Sequence, residues 1–256
     1  MIKDAAERIG MERIISIISP ILVLLMWEFF VRNGVLDKRF FPAPSAVLET
    51  AWEMVESGEL WNDLRLSLLR VAAGFVIAAI PGILLGVAMG LSPWIRAAIN
   101  PLVAAVYPIP KSAMLPLLLL VFGLGESSKI AMVTIGSFFL VLVNSMAGVM
   151  NIERVYFEVA KTFGAKKVDI IRTVAFPGAL PLIMAGLRLG FGMGLIFVVL
   201  AEFVGSGGGI GYMIWRAWQV FAVERLYVGL LVVSVMGYVG SLMFEELERI
   251  VIPWKR

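Results

Sequence analysis

Arg70, Lys111, Arg188 and Glu202 stand out because each interrupts a long apolar run. An ionisable group at membrane depth is costly and ordinarily faces a partner, a cavity or an aqueous path. The chemistry open to these four is therefore electrostatic. A cation on a path attracts an anionic solute, whereas a charge beside an opposite charge forms a structural ion pair. Arg70 lies near one end of its run, where its stem could lie on apolar surface with the guanidinium reaching the headgroups. Lys111 sits among Pro101, Pro108, Pro110 and Pro116 and is the best placed as a pathway residue. Arg188 and Glu202 are too far apart to pair within one helix, at about 1.5 Å of rise per residue. Each needs another partner, and structural pairing or polar capping is the expected role of both.

The residue types that are missing exclude more. The 256 residues contain no Cys and no His, which removes disulfides, thiolate nucleophiles, His-based metal sites and any triad that needs an imidazole. No metal site or catalytic group is expected. No G-x-x-x-x-G-K-[ST] occurs, and Gly205, Gly207, Gly208, Gly209 and Gly211 lack the following Lys of a phosphate loop. The net charge of +3 does not argue for nucleic acid, because the basic residues lie mostly between apolar spans, where they fix orientation.

With 60% hydrophobic and 16% charged residues and a mean hydropathy of +0.93, the chain is too apolar for a water-soluble fold. Six spans are predicted, at roughly 14–33, 65–91, 97–122, 128–150, 178–203 and 226–246, each near the roughly 20 residues that a crossing needs. The first is read as a retained helix rather than a signal peptide. The four prolines named above must bend or break the third, since each removes a backbone donor.

An even number of spans places both termini on one side. The termini, Arg96 and the 151–177 loop, with Arg154, Lys161, Lys166, Lys167 and Arg172, collect more basic residues than the opposite side, with Arg32, Lys38, Arg39, Lys129, Arg216 and Arg225. The richer side is expected to be cytoplasmic. Residues 1–13 then form a cytoplasmic N-terminus and 34–64 an external segment, in which Ser45 can cap an interfacial helix over Ala46–Val55. A second external segment, Gly205 to Arg225, opens on a glycine-rich turn and continues as a short helix bearing Trp215 and Trp218, placed to anchor at the interface.

Small residues recur at four-residue spacing: Gly74, Ala78, Gly82, Gly86 and Gly90 in the second span, Gly136 and Gly148 with Asn144 in the fourth, and Gly186, Gly190 and Gly194 in the fifth. Such stripes let helix backbones approach closely where lipid provides no hydrophobic drive. Ordinary helix packing is the expected reading, and lining of a transport path the alternative.

Between the fourth and fifth spans, Asn151 to Gly178 is polar yet reads as two short helical pieces, Arg154 to Phe163 and Lys166 to Ala175, broken at Gly164, which tolerates a positive φ. Its residues Glu158, Val159, Ala160, Gly164, Val174, Ala175, Phe176 and Pro177 resemble the pattern E-A-A, three residues, G, nine residues, I-x-L-P, the cytoplasmic signature of ABC importer permeases. Val159, Val174 and Phe176 depart from it by apolar exchanges. Phe41-Pro42-Ala43-Pro44-Ser45, Ser67 to Phe75, Phe122 to Lys129, Gly186-Leu187-Arg188 and Ala201-Glu202 are similar to segments of the sulfonate, taurine and nitrate permease group.

The resemblance implies an all-α polytopic membrane protein with six transmembrane helices, the type I ABC importer transmembrane domain, over 65–250. It also implies a plasma (inner) membrane location, a second permease copy as homodimer partner, two ATP-binding subunits that carry ATP and Mg, and an external solute-binding protein. The solute would be a small anion such as a sulfonate, taurine or nitrate. Val155 to Ala165 would be a coupling helix docking in a groove of the ATPase. Tyr156 and Phe157 would be its anchors, Glu158, Ala160 and Gly164 would allow close approach, and Pro177 would close the signature. The alternative for this loop is a basic amphipathic helix resting on anionic lipid. For the whole chain the alternatives are a secondary transporter or channel without an ATPase partner, which would show paired inverted repeats or a run of intramembrane acids for ion coupling, and a membrane-embedded enzyme, which would need a cluster of catalytic groups. Neither pattern is present.

Overall fold

In the computed structural model the backbone is described for residues 2–205 and 207–255. The side chains of residues 1–14, 16, 17, 206, 255 and 256 lie outside the described residues, and with them Lys3, Arg8, Arg13, Lys255 and Arg256, the basic residues of the termini that the expected orientation counts on the cytoplasmic side together with Arg249. In chain order the helices are α1 (Ile2–Arg32), α2 (Pro44–Glu56), α3 (Glu59–Leu91), α4 (Pro93–Val106), α5 (Leu115–Phe122, entered through a 3-10 turn at Lys111–Met114), α6 (Glu126–Met150), α7 (Arg154–Thr162), α8 (Lys167–Ile170), α9 (Phe176–Glu202), α10 (Ile210–Gln219) and α11 (Val223–Val251). A π-helical turn, Ile171–Ala175, joins α8 to α9. No strand occurs among the described residues.

α3, α6, the α8–α9 unit and α11 are each long and apolar enough to cross a membrane. The expected third span is two helices, α4 and Lys111–Phe122, which meet at 84°. Pro108 and Pro110 lie at this break, where each denies the preceding turn a donor. The expected first span lies within α1. The count of six therefore rests on α1 and on reading the bent pair as one crossing.

The chain divides into two compact units. In the unit formed by residues 1–61 and 213–230, Trp27 meets Tyr227 at a centroid distance of 5.5 Å, the Tyr227 hydroxyl donates to the Phe40 carbonyl at 3.2 Å, and Arg225 pairs with Glu59 at 3.2 Å. α2 starts at Pro44 with Ala43 as its N-cap and no side-chain cap. Ser45, expected as the cap, lies inside the helix instead. Its amide and hydroxyl both donate to the Glu28 carboxylate, at 3.0 and 2.8 Å, so an acid from α1 holds an amide that the cap would otherwise serve.

The unit formed by residues 62–212 and 231–256 contains the small-residue stripes, and the structure buries them between helices. Gly74 faces Val133, Gly82 faces Val141 and Gly90 faces Val149, a constant offset that makes α3 and α6 parallel. Gly136 faces Phe197, Asn144 faces Gly186 and Gly148 faces Ala179, a falling register that makes α6 and α9 antiparallel. α6 is thus the centre of three closely spaced helices, while Val76, Ile77, Ile80 and Leu84 on the other face of α3 are exposed. Small residues inside and large apolar residues outside is the arrangement that lipid as solvent favours. Leu115 and Leu118 of α5 pack with Met132, Phe197 and Ala201. Phe75, Phe191 and Phe244 form a ring cluster with centroid separations of 5.4 to 5.7 Å.

Candidate functional site

The 151–177 segment folds as the two expected pieces, with boundaries shifted by a few residues. α7 ends in a Schellman turn: the Ala165 amide donates to the Ala160 carbonyl at 3.0 Å and the Gly164 amide to the Lys161 carbonyl at 2.9 Å. Gly164 takes φ +76° with open space around it, the left-handed conformation that penalises any Cβ. Asp169 accepts from the Lys166 amide at 2.9 Å and so caps α8.

Three- and four-residue steps divide α7 into two faces. Val155, Tyr156, Val159 and Phe163 are exposed, Phe163 at 87%. Arg154, Phe157 and Lys161 line a cavity on the other face. Of the two expected anchors, Tyr156 is on the exposed side and Phe157 is half-buried at the cavity. Glu158 is exposed, while Ala160 and Pro177 are half-buried.

The charged span residues fall into three settings. Arg70 is 1% exposed and does not reach out to headgroups. All five of its N–H donors are used. Nε and Nη2 donate to Glu126 at 2.6 Å each, Nη1 to Glu202 at 2.7 Å and to the Gly208 carbonyl at 2.6 Å, and Nη2 also to the Gly207 carbonyl at 2.9 Å. Glu202, 1% exposed, further accepts from the Ser67 hydroxyl at 2.9 Å and from the Gly211 amide at 2.8 Å. The Gly209 amide donates to Asp63 at 2.7 Å and the Ile210 amide to the Ser67 hydroxyl at 2.9 Å.

The glycine-rich turn is therefore folded inward over α3 and tied to it by both amides and carbonyls. Gly209, at φ +112°, touches Glu202 and Arg70 so closely that a Cβ has no room. Lys129, 2% exposed, completes the group at 3.5 Å from Glu126. The sequence alone gave no role to Asp63, counted Lys129 among the basic residues of the external side, and otherwise touched Ser67, Glu126 and Lys129 only as members of segments resembling the permease group. A signal was available in the spacing of Asp63, Ser67 and Arg70, which places three polar residues on one face of α3.

Lys111 stands at the 84° break. Its Nζ donates to the carbonyls of Val106, Tyr107 and Ile109 at 2.7, 3.1 and 3.1 Å and lies 4.6 Å from the Phe139 ring centroid. Pro110 has no N–H for the Val106 carbonyl, which accepts instead from the Ile109 amide at 3.2 Å, with the lysine as its second donor. Arg188 lies 3.5 Å from Glu248 of α11, both side chains partly exposed.

The model of the family described as "binding-protein-dependent transport system inner membrane component" matches residues 82–256. The chain is 32% identical over 253 residues to an aliphatic sulfonates transport permease protein of Bacillus subtilis (strain 168), covering 99% of this chain and 91% of the relative. It is 32% identical over 245 residues to the taurine transport system permease protein of Escherichia coli (strain K12), covering 94% and 89%. With the nitrate import permease protein of Synechocystis sp. it shares 28% over 241 residues, covering 91% and 86%. A chain in an inward-facing crystal form of the MetNI methionine ABC transporter superposes with a TM-score of 0.62 at 20% identity, covering 79% of this chain and 98% of that one.

Proposed function

The chain belongs to the binding-protein-dependent transport system inner membrane component family, and we propose that, as the permease of an ATP-driven importer, it carries small anionic solutes of the sulfonate, taurine or nitrate type. It is a non-enzymatic, multi-pass membrane subunit. In this reading two copies form the path, an external protein delivers the solute, and ATP is hydrolysed on two separate subunits. Both termini and α7 face the cytoplasm, in keeping with the excess of basic residues there.

The observation that carries the reading is the outward face of α7. Val155, Tyr156 and Val159 of the nine-residue α7, with Phe163 at its C-cap, leave a contiguous apolar strip exposed, and Gly164 fixes how that helix turns back towards α9. An apolar strip on a polar loop favours burial against a partner rather than water. Docked in the ATPase, α7 transmits closure of the nucleotide-binding subunits to α6 and α9 as a rigid-body motion. The glycine-rich turn beside Arg70 lies at the opposite ends of these helices, on the side that would meet the external protein.

The test is co-purification of the detergent-solubilised full chain with its ATPase subunits, wild type against Phe163→Glu. Phe163 is exposed, so the substitution leaves the fold alone and removes one apolar contact from the strip. The expected result is an ATPase retained by the wild type and lost from the variant. A wild type that retains none, or a variant that keeps both the ATPase and transport, overturns the reading.

A further inference from the structure

We propose that the cavity between α7, α8 and the α3–α4 corner holds the headgroup of an anionic phospholipid. The inference rests on the orientation given above only in assigning this cavity to the cytoplasmic leaflet. Its volume is about 660 Å³, and four cations reach it from separate stretches of chain: Arg96 from α4, Arg154 and Lys161 from α7, and Lys167 from α8. No carboxylate lines it. Glu153, Glu158 and Asp169 belong to the same loop but do not line it, and Asp169 is committed to the Lys166 amide.

Four like charges around one space repel one another unless an anion or water lies between them. Among the described residues no carboxylate pairs with Arg154, Lys161 or Lys167. Arg96 donates to the Met89 carbonyl at 3.3 Å. A second cavity, bordered by α1 and α2, differs on this point: of its cations Arg32, Lys38 and Arg39, two are neutralised by Glu28 and Asp37.

The remaining wall decides between a lipid and a free anion. Leu91, Val149, Ile152, Phe157 and Ile170 are apolar, and the cavity opens at the ends of the membrane-crossing helices α3 and α6. Trp94, next to the lining Pro93, is 86% exposed, as an indole anchored among headgroups would be. A basic pocket with an apolar side at the end of spans suits a phosphodiester whose acyl chains run along the helices. The two faces of α7 then have separate tasks, the apolar one towards the ATPase and the basic one towards lipid.

The experiment measures lipid binding by native mass spectrometry of the full chain in detergent, without ATPase subunits, using dioleoylphosphatidylglycerol, with dioleoylphosphatidylcholine as the neutral comparison. Wild type is compared with Arg154→Gln/Lys161→Gln/Lys167→Gln, with the conservative Lys161→Arg, and with Lys166→Gln/Arg172→Gln, whose residues do not line the cavity. Phosphatidylglycerol is expected to bind the wild type in preference to phosphatidylcholine. Its affinity should fall about fivefold per lining cation removed, on the order of a hundredfold for the triple variant. Lys161→Arg and the outside pair should keep wild-type binding.

Equal binding of phosphatidylglycerol by wild type and triple variant overturns the proposal. So does displacement of the lipid by millimolar inorganic phosphate, which assigns the cavity to a free anion. The readout contains no ATPase, so lost lipid selectivity with retained ATPase co-purification defeats only this proposal. The reverse result defeats only the transport reading.

Discussion

Arg70 of α3 and Glu202 of α9 form an ion pair at 2.7 Å with neither side chain open to solvent. The pair is stabilised by the bonds around it rather than by Coulomb attraction alone, because taking two charges out of water costs several kcal/mol per ion. Here the Arg70 donors are all used and the Glu202 carboxylate accepts from Arg70, the Ser67 hydroxyl and the Gly211 amide. Removing one partner strands the other. Arg70→Met is therefore expected to destabilise the chain by about 3–5 kcal/mol, read as a thermal midpoint in detergent lowered by roughly 10 °C. Arg70→Met/Glu202→Met should recover part of that loss. A single variant with the wild-type midpoint would show that the pair contributes nothing to stability.

Lys111 separates a structural from a pathway role. Its three carbonyl acceptors belong to the turn broken by proline, one part-buried and two exposed, and a hydrogen bond of this kind contributes a net of about 0.5–1.5 kcal/mol. Lys111→Met should lower stability by that amount. Lys111→Arg, which keeps several donors, should lower it less. Neither should change which solute competes best in a transport assay. A Lys111→Met protein of normal stability but altered solute preference would return this lysine to the path.

These two lysine and arginine sites show what the sequence could and could not reveal. Apolar runs, the Glu158–Pro177 spacing, Gly164 and the glycine stripes are local or periodic patterns, and the fold carries each of them as a helix, a turn or a helix contact. The prolines of the third span also made its break legible. That Lys111 itself would donate to carbonyls at the break was not, because it depends on the direction of the 84° bend.

Arg70 was harder still. Its partners Glu126, Glu202, Gly207 and Gly208 are 56 to 138 positions away in the chain, and only folding brings them together. Ser45 was misread for the opposite reason. Its local capping signal was real, but α2 begins two residues before the expected Ala46, at Pro44, and a carboxylate from α1 takes the hydroxyl. On α7, alternation of exposed and half-buried residues shows that Tyr156 and Phe157, adjacent in sequence, lie on different faces.

Arg188 provides a contrast to Arg70 within the same protein. Its contact with Glu248 is 3.5 Å long and both groups are partly exposed, so solvent screens the attraction, and such a pair contributes about 0–1 kcal/mol. Arg188→Gln should shift the thermal midpoint by no more than about 2–4 °C. A drop as large as that of Arg70→Met would mean that Arg188 has a further role in holding α9.

The last expectation concerns the stripe on which the helix spacing depends. At Gly86 an added Cβ would sit 2.5 Å from the Leu142 carbonyl oxygen and 2.7 Å from the Ser145 Cβ. Backbone and a rigid β-carbon cannot yield as a flexible side-chain tip can, so α3 and α6 must separate. Gly192, on α9, has nothing within 4 Å of the same position, and there alanine has only its better helix propensity to add. Gly86→Ala should destabilise by about 1–3 kcal/mol, whereas Gly192→Ala should be neutral or stabilising by up to about 1 kcal/mol. Thermal unfolding of the two variants side by side checks this. Equal midpoints would mean that α3 and α6 are not held at the distance their glycines permit.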